Sequence, residues 1–235
     1  MKKIVTLFLV LTMTTGLLCA CSSNNSENST KEDATSASVS DESINDMELT
    51  DLTFKLDGVT YTLPCDFSEF EKNGWTIASD SDYDGEQTIA SNEISQNFEI
   101  KKSDGSYPSS NITIGFLNSS SDSLEIKKCK IGKFSFSVEL AAENPNNPEI
   151  IFAGGLVVDK SITVDDITSK YGEPSNSEDN YYQDEDGNRF SATDMFYQKE
   201  DGDYMKTAVF TIGTNDETMP HKYNEFTLEY INAAS

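Results

Sequence analysis

The chain has 235 residues, of which 25% are charged and 36% hydrophobic, and its formal net charge at pH 7 is −24. This length fits one or two domains. Nucleic-acid binding is excluded, because that affinity rests on lysine and arginine neutralising phosphates, and 17 such residues stand against 41 acidic ones. The 13 Phe and 10 Tyr can bury a core, which argues against disorder along the whole chain.

The N-terminus has the three parts of an export signal. Lys2 and Lys3 precede an apolar run from Ile4 to Leu18, and small residues follow. The run is too short to span a bilayer comfortably. The segment therefore predicts export across a membrane.

Leu18-Cys19-Ala20-Cys21 ends this signal. It resembles the lipobox of bacterial lipoproteins, in which a leucine three positions before an invariant cysteine, and a small residue just before it, direct cleavage and lipidation. The resemblance implies that residues 1–20 are removed and that Cys21 carries the lipid, on the extracytoplasmic face of the cell membrane. Two or three acyl chains make such an attachment stable. The alternative is an ordinary cleaved signal with Cys21 as a spare thiol.

Residues 21–50 are predicted to form the lipidated cysteine and a tether. From Ser22 to about Leu49 the chain is rich in Ser, Asn, Thr, Glu and Asp, which is typical of disorder. Such a spacer has a root-mean-square span of roughly 30 Å. Without residues 1–20 the net charge is −26. Since such a chain repels anionic headgroups, we expect membrane attachment through the lipid alone.

Residues 51–149 are predicted to form a first α+β unit, which opens with a hairpin. Asp57-Gly58 is a two-residue turn of the kind that tolerates positive φ. Alternation places the apolar residues on one face and Thr and Lys on the other, as in a sheet with one buried face. Counting outwards from the turn gives the pairs Leu56–Val59, Phe54–Tyr61 and Leu52–Leu63.

A short helix is predicted after the hairpin. Asp66 with Glu69 has the spacing of a capping box. Phe67 and Phe70 share one helical face, and Gly74 is a natural stop.

The same pattern returns about 97 residues later and predicts a second unit over residues 150–235. Phe152 to Val158 is apolar around Gly154-Gly155, and Thr163 with Asp166 has capping-box spacing. The helical repeat and its stop follow at Val164, Ile167, Tyr171, Gly172 and Pro174. Similarity at a fixed period favours a duplication, with chance agreement of patterns as the alternative.

Strand candidates follow each helix, separated by Asp-Gly pairs that predict antiparallel hairpins. In the first unit they are 88–94, 98–101, 112–117 and 124–138; in the second they are 181–182, 189–197, 204–212 and 226–230. The predicted class is α+β, with two similar units that each combine a hairpin, a short helix and an antiparallel sheet.

Leu63-Pro64 stands before a helix that ends in Gly74-Trp75, and Ser161-Ile162-Thr163 stands before Tyr171-Gly172-Glu173-Pro174. This order resembles uncharacterised lipoproteins of Gram-positive bacteria and, in outline, the tandem α+β repeats of β-lactamase-inhibitor-like proteins. The resemblance covers about residues 52–232. Its motifs are structural, so it implies no catalytic residue and no cofactor.

Cys65 and Cys129 remain once the signal is removed and Cys21 is lipidated. In an oxidising exterior two such cysteines favour a disulfide, with two separate buried thiols as the alternative. Cys65 near a helix N-terminus is also a candidate nucleophile, but its only candidate base is His221.

Asp80, Asp82 and Asp84 alternate before Gly85, as at the start of an EF-hand calcium loop. The twelfth position is Ser91 where a bidentate Glu is required. A solvated Asp-Gly turn is therefore the favoured interpretation, with calcium binding as the alternative.

Sequence motifs give little support for catalysis. The chain has no phosphate loop, no His-Glu-x-x-His and no Gly-x-Ser-x-Gly. Two paired carboxylates would suffice for glycoside cleavage, but Trp75 is the only tryptophan and is expected in the core. We expect a surface-displayed binding module with a protein or peptide partner, and a calcium-binding envelope protein or a carboxylate hydrolase as alternatives.

Overall fold

Alternating apolar residues and Asp-Gly turns fold most of the chain into strands. The computed structural model describes residues 41–78, 83–107, 111–140, 147–183, 189–213 and 223–233. Its helices are α1 (Asp41–Asn45), α2 (Phe67–Lys72) and α3 (Val164–Tyr171), with 3₁₀ turns at Leu49–Asp51 and Ile126–Lys128. Its strands are β1 (Thr53–Leu56), β2 (Val59–Thr62), β3 (Trp75–Ile77), β4 (Thr88–Ile89), β5 (Phe98–Lys102), β6 (Ile112–Leu117), β7 (Leu124–Glu125), β8 (Lys130–Glu139), β9 (Ile150–Phe152), β10 (Leu156–Val157), β11 (Asn176–Gln183), β12 (Arg189–Asp201), β13 (Tyr204–Gly213) and β14 (Tyr223–Asn232).

The predicted first hairpin is confirmed in its turn and register. Asp57 and Gly58 both have positive φ, 49° and 82°, as a primed two-residue turn requires. Phe54 pairs with Tyr61, and these strands join β9 and β10 in a four-stranded sheet of order β10-β9-β1-β2. The expected wet face is wrong at Thr53, which is buried and shares a hydroxyl hydrogen bond of 2.8 Å with Thr62.

Both predicted helices form, but only one has the predicted cap. The Asp166 amide donates to Thr163 Oγ1 at 3.2 Å, and the Thr163 amide donates to Asp166 Oδ2 at 3.0 Å. The capping box predicted for α2 is wrong, because the Asp66 side chain makes no capping hydrogen bond. The burial of Phe70 and Ile167 confirms the predicted helix faces.

The larger sheet has eight strands in the order β11-β12-β13-β14-β8-β6-β5-β3. Its neighbours are antiparallel, and β14 pairs with β8 at the middle. Trp75 opens β3, an edge strand that sequence analysis missed. The single strand predicted over 124–138 is divided by the 3₁₀ turn at Ile126–Lys128.

One face of the large sheet packs on the core. Met195, Phe210, Phe226, Phe136 and Ile112 form one row across five strands, and each is 1% exposed or less. The small sheet and the helices pack against this face, where the Phe54 and Phe134 rings stack at 4.0 Å. The residues between these core rows are mostly half-exposed, because successive side chains of a strand point to opposite faces.

The predicted tether is wrong over its last residues. Ile44 and Leu49 are 3% and 4% exposed, and the Gly154 amide donates to the Ile44 carbonyl at 2.8 Å. Two apolar side chains in a polar stretch are too few to show as a periodic pattern, although they bury well. The folded part therefore begins by Asp41.

The chain is a sheet-rich α+β protein, as the predicted class states in its coarse form. The described residues all belong to one compact unit, and the two predicted halves share the four-stranded and the eight-stranded sheet. Strands β4 and β7, both from the first half, form a separate two-stranded sheet. None of the described helices has the length and apolar character needed to cross a membrane.

Candidate functional site: the outer face of the large sheet

The face of the large sheet that points away from the core is termed the outer face. It is built mainly by β11 to β14 and β8, and the strand register sets its residues side by side. One row is Glu178, Asp194, Thr211, Glu225 and Ser137; the next is Phe196, Val209, Thr227 and Ser135; the third is Gln198, Thr207, Glu229 and Lys133. The outer face is thus polar and acidic, with one apolar pair at its centre.

The third row neutralises its own charges. The Lys133 ammonium forms an ion pair of 2.7 Å with Glu229 Oε1. In the second row, the Thr227 hydroxyl donates to Ser135 Oγ at 2.9 Å. Phe196 and Val209 lie beside each other in neighbouring strands and are half-exposed.

Asp194 is the least exposed acid of the first row. Its side chain is 5% exposed, and Oδ2 accepts a hydrogen bond from Asn180 Nδ2 at 2.7 Å and another from the Tyr182 hydroxyl. Burial, the hydrogen bond to Asp194 and its charge raise the pKa of Tyr182 to about 12. Asp194 Oδ1 is buried and accepts no hydrogen bond. A buried acceptor without a donor carries a desolvation cost that is not offset.

Glu225 belongs to the same row, two strands from Asp194. Its pKa is raised above its ordinary value of 4.5, first because surrounding protein atoms desolvate the carboxylate and then because Asp194 repels its charge; Lys133 lowers it in part. Asp194 and Glu225 take part in none of the ion pairs found in the described part of the chain.

A cavity of about 550 Å³ lies beside α2, on the other side of the large sheet from the outer face. Phe67, Ile77 and Phe116 line it with apolar surface, and Glu71 and Cys129 also reach it. No histidine is among the described residues that line it, so the Cys129 thiol has no imidazole base there. Burial raises the pKa of that thiol, which further disfavours the nucleophilic thiolate.

Cys65 and Cys129 are two buried thiols in the structure, in place of the predicted disulfide. Cys65 and Ile131 form an isolated β-bridge with backbone hydrogen bonds of 3.2 and 2.8 Å, so the residue opposite Cys65 is Ile131 and not Cys129. A disulfide needs Cβ atoms about 4 Å apart, a separation close to that of residues directly opposite each other. Both cysteines were predicted in the first unit, but their position relative to each other across the strands could not be predicted from the sequence.

The calcium prediction falls largely outside the described residues, because Asp80 and Asp82 are not among them. Asp84 is described, and its Oδ1 accepts the Glu86 amide at 3.0 Å, as in an Asp-Gly turn. No group of three or more metal-binding side chains is found among the residues that the structure describes. Calcium binding stays a prediction.

Of the other residues singled out in the sequence, some lie outside the described residues and one is described. Cys21 and His221 lie outside the described residues. Trp75 is 2% exposed, which confirms its place in the core, and its ring stacks on Tyr107 at 5.9 Å.

Sequence analysis missed Asp194 and Glu225 as a pair. Each was placed in or beside a strand, but the two lie 31 positions apart and only the β12-β13-β14 register brings them into one row. A signal was present, since aspartate is depleted in strands and Asp194 interrupts a run of strand-forming residues.

Comparisons with protein-family models, with curated proteins and with solved structures found no match for this chain.

Proposed function

We propose that this protein is a lipid-anchored, extracytoplasmic binding module that holds a protein or peptide partner on its outer face. The observation that carries the proposal is that, within the described residues, one face of the large sheet is packed and the other is mostly half-exposed. The buried rows point to the core, whereas the alternate rows of the same strands are mostly half-exposed, with Asp194 and Thr207 as buried exceptions. A broad sheet face with a small apolar centre and a polar surround has the composition of a protein interface.

The outer face favours binding over hydrolysis. Asp194 and Glu225 are the closest approach to a pair of catalytic acids on this face, yet neither lines any of the four described cavities. Glycoside cleavage needs two acids on either side of a substrate that a cleft encloses. An open sheet face instead suits a flat protein surface.

The sequence supports the anchor and the tether. The lipobox-like segment ending at Cys21 supports lipidation, and residues 22–40 supply the polar spacer. On the cell surface this arrangement leaves the folded part free to turn its outer face toward a partner.

We also propose that the folded part arose by duplication. The strand order supports this, because β3-β5-β6-β8 is followed outward from the centre by β14-β13-β12-β11, so that the last strand of each half lies at the middle. In the small sheet β1-β2 and β9-β10 are hairpins that pair through β1 and β9. Both halves then contribute to the outer face.

Site-specific crosslinking on intact cells tests the proposed function. A photoreactive phenylalanine analogue replaces Phe196 on the outer face or, as an aromatic control, Tyr181, which is 82% exposed on the alternate set of β11 residues. We expect a discrete crosslinked partner from position 196 and none from position 181. Equal crosslinking from both positions, or none from position 196, would contradict the proposal.

A further inference from the structure

Asp194 and Glu225 lie on either side of Thr211 in the first row of the outer face. Adjacent strands are about 4.8 Å apart, so these two residues stand about 10 Å apart with Thr211 between them. Thr211 is short and half-exposed. A long side chain from a partner that lies over Thr211 can therefore contact the exposed Glu225 carboxylate and come close to the buried carboxylate of Asp194.

A second observation concerns the carboxylate of Asp194, which has no cationic partner among the described residues. Asp194 is only 5% exposed, and of its two carboxylate oxygens only Oδ2 accepts hydrogen bonds, from Asn180 and Tyr182. Oδ1 accepts nothing. A buried carboxylate is stable when it is paired with a cation and hydrogen-bonded on both oxygens.

The nearby cations are already engaged. Lys133 pairs with Glu229 at 2.7 Å on the outer face. Lys199 and Lys206 belong to the alternate, core-side set of residues and pair with Glu48 and Asp201 at 2.8 and 3.1 Å. The missing cation is thus not supplied by any ion pair within the described residues.

We infer that the outer face receives a basic segment of a protein partner, with one lysine or arginine side chain seated over Thr211 between Asp194 and Glu225. This inference rests on the proposed function and adds the chemistry of the partner. The cationic head donates charge-assisted hydrogen bonds to the exposed Glu225 carboxylate, and the buried Asp194 carboxylate beside it adds attraction. The aliphatic stem lies along Phe196 and Val209 in the next row.

The raised pKa of Glu225 agrees with this arrangement. Repulsion by Asp194 is one of its causes, and a cation between the two acids would remove that repulsion. Among the described residues, the other charged group that acts on Glu225 is Lys133, which lowers its pKa.

The test uses a ten-residue lysine peptide as the probe and the full lipoprotein in a neutral detergent, with calorimetry at low salt. The double variant Asp194→Asn, Glu225→Gln removes the pair but keeps acceptors for Asn180 and Tyr182. The control double variant Asp165→Asn, Glu173→Gln removes the same charge from exposed residues on and beside α3. We expect the outer-face variant to weaken binding at least about tenfold and the control less than about twofold.

Equal losses in the two double variants would overturn the inference, because they would show attraction to net charge alone. Displacement of the peptide by calcium, but not by sodium chloride of the same ionic strength, in the native protein and not in the outer-face variant would also overturn it in favour of a metal site. If Asp194→Asn does not fold, the single variant Glu225→Lys, at an exposed position, replaces the double variant. We expect Glu225→Lys to abolish peptide binding, and unchanged binding would overturn the inference. If position 196 crosslinks a partner through a segment without basic residues, the proposed function stands and this inference fails.

Discussion

The burial of Asp194 carries an energetic cost that its neighbours offset only in part. Aspartate is disfavoured in strands, and this one is buried at the centre of a thirteen-residue strand. Asn180 and Tyr182 offset part of the cost by donating to one oxygen, and the other oxygen has no donor. Desolvation and then repulsion by Asp194 raise the pKa of Glu225 in the same row. The two acids are the reason that we propose a cationic partner for the outer face.

Glu225 gives the stability of the protein a pH dependence. Its pKa is higher in the folded state than its ordinary value of 4.5, so folding favours the protonated form. The resulting stabilisation is complete below about pH 4.5 and is lost as the pH rises through the raised pKa. Glu225→Gln removes this loss. We expect the free energy of unfolding of the variant to rise relative to that of the native protein between about pH 4 and pH 8, measured by urea unfolding. A constant difference over this range would contradict the prediction.

The two buried thiols make a second prediction at this scale. Burial raises the pKa of Cys65 and Cys129, so neither thiolate is populated near neutral pH. We expect iodoacetamide to leave both unmodified in the native protein and to alkylate both in urea, as measured by mass spectrometry of their peptides. Detection of peptides linked through Cys65 and Cys129 in the absence of reductant would contradict this prediction and support the disulfide predicted from the sequence.

The elements show what local sequence predicts well. Turn chemistry at Asp57-Gly58 and capping at Thr163 act over two to four residues, and both are confirmed. The α1 helix and β3 were missed because Ile44 and Trp75 are buried by distant parts of the chain rather than by a periodic pattern of their own. The outer face was missed for the same reason, since its rows exist only once strands far apart in sequence have paired.

The difference between the two helix caps can be measured. Thr163→Ala removes the two hydrogen bonds of the Thr163 hydroxyl, one accepted from the Asp166 amide and one donated to Asp166 Oδ2, and leaves the bond that the Thr163 amide donates. We expect it to lower the free energy of unfolding by about 1 kcal/mol. Asp66→Ala is the matched control, because the Asp66 side chain makes no capping bond to α2, and we expect less than about 0.5 kcal/mol. Equal costs in chemical unfolding would show that the caps do not differ.

At the scale of the whole molecule, one architecture serves the proposed function. The core side of the large sheet carries the helices and the small sheet, and the outer face, as far as the described residues show it, is the surface that we propose for a partner. The acidic chain, with a net charge of −24, repels anionic membrane lipids, and the proposed lipid anchor would hold it there against this repulsion. The fold class and the positions of α2 and α3 could be predicted from sequence, whereas the outer face becomes visible only with the strand order.

The anchor has its own test. Cys21→Ala removes the residue that would carry the acyl chains, and two or three chains are what make attachment stable. We expect the native protein to sediment with membranes and the variant to appear in the medium, compared by immunoblotting of the two fractions. Retention of the variant on membranes would contradict lipidation at Cys21. Cys19→Ala, two residues earlier in the signal, is the control and should leave the distribution unchanged.

Labelling of intact cells with a membrane-impermeant maleimide tests the central claim most directly. Val209→Cys reports on the outer face, and Asp165→Cys reports on the exposed start of α3. The account predicts that position 165 is labelled as fast on cells as in purified protein, because the protein is displayed outside. It predicts that position 209 is labelled several-fold more slowly on cells than after purification, because a partner covers it. Labelling of position 165 only after lysis, or equal rates for position 209 on cells and in purified protein, would contradict the account.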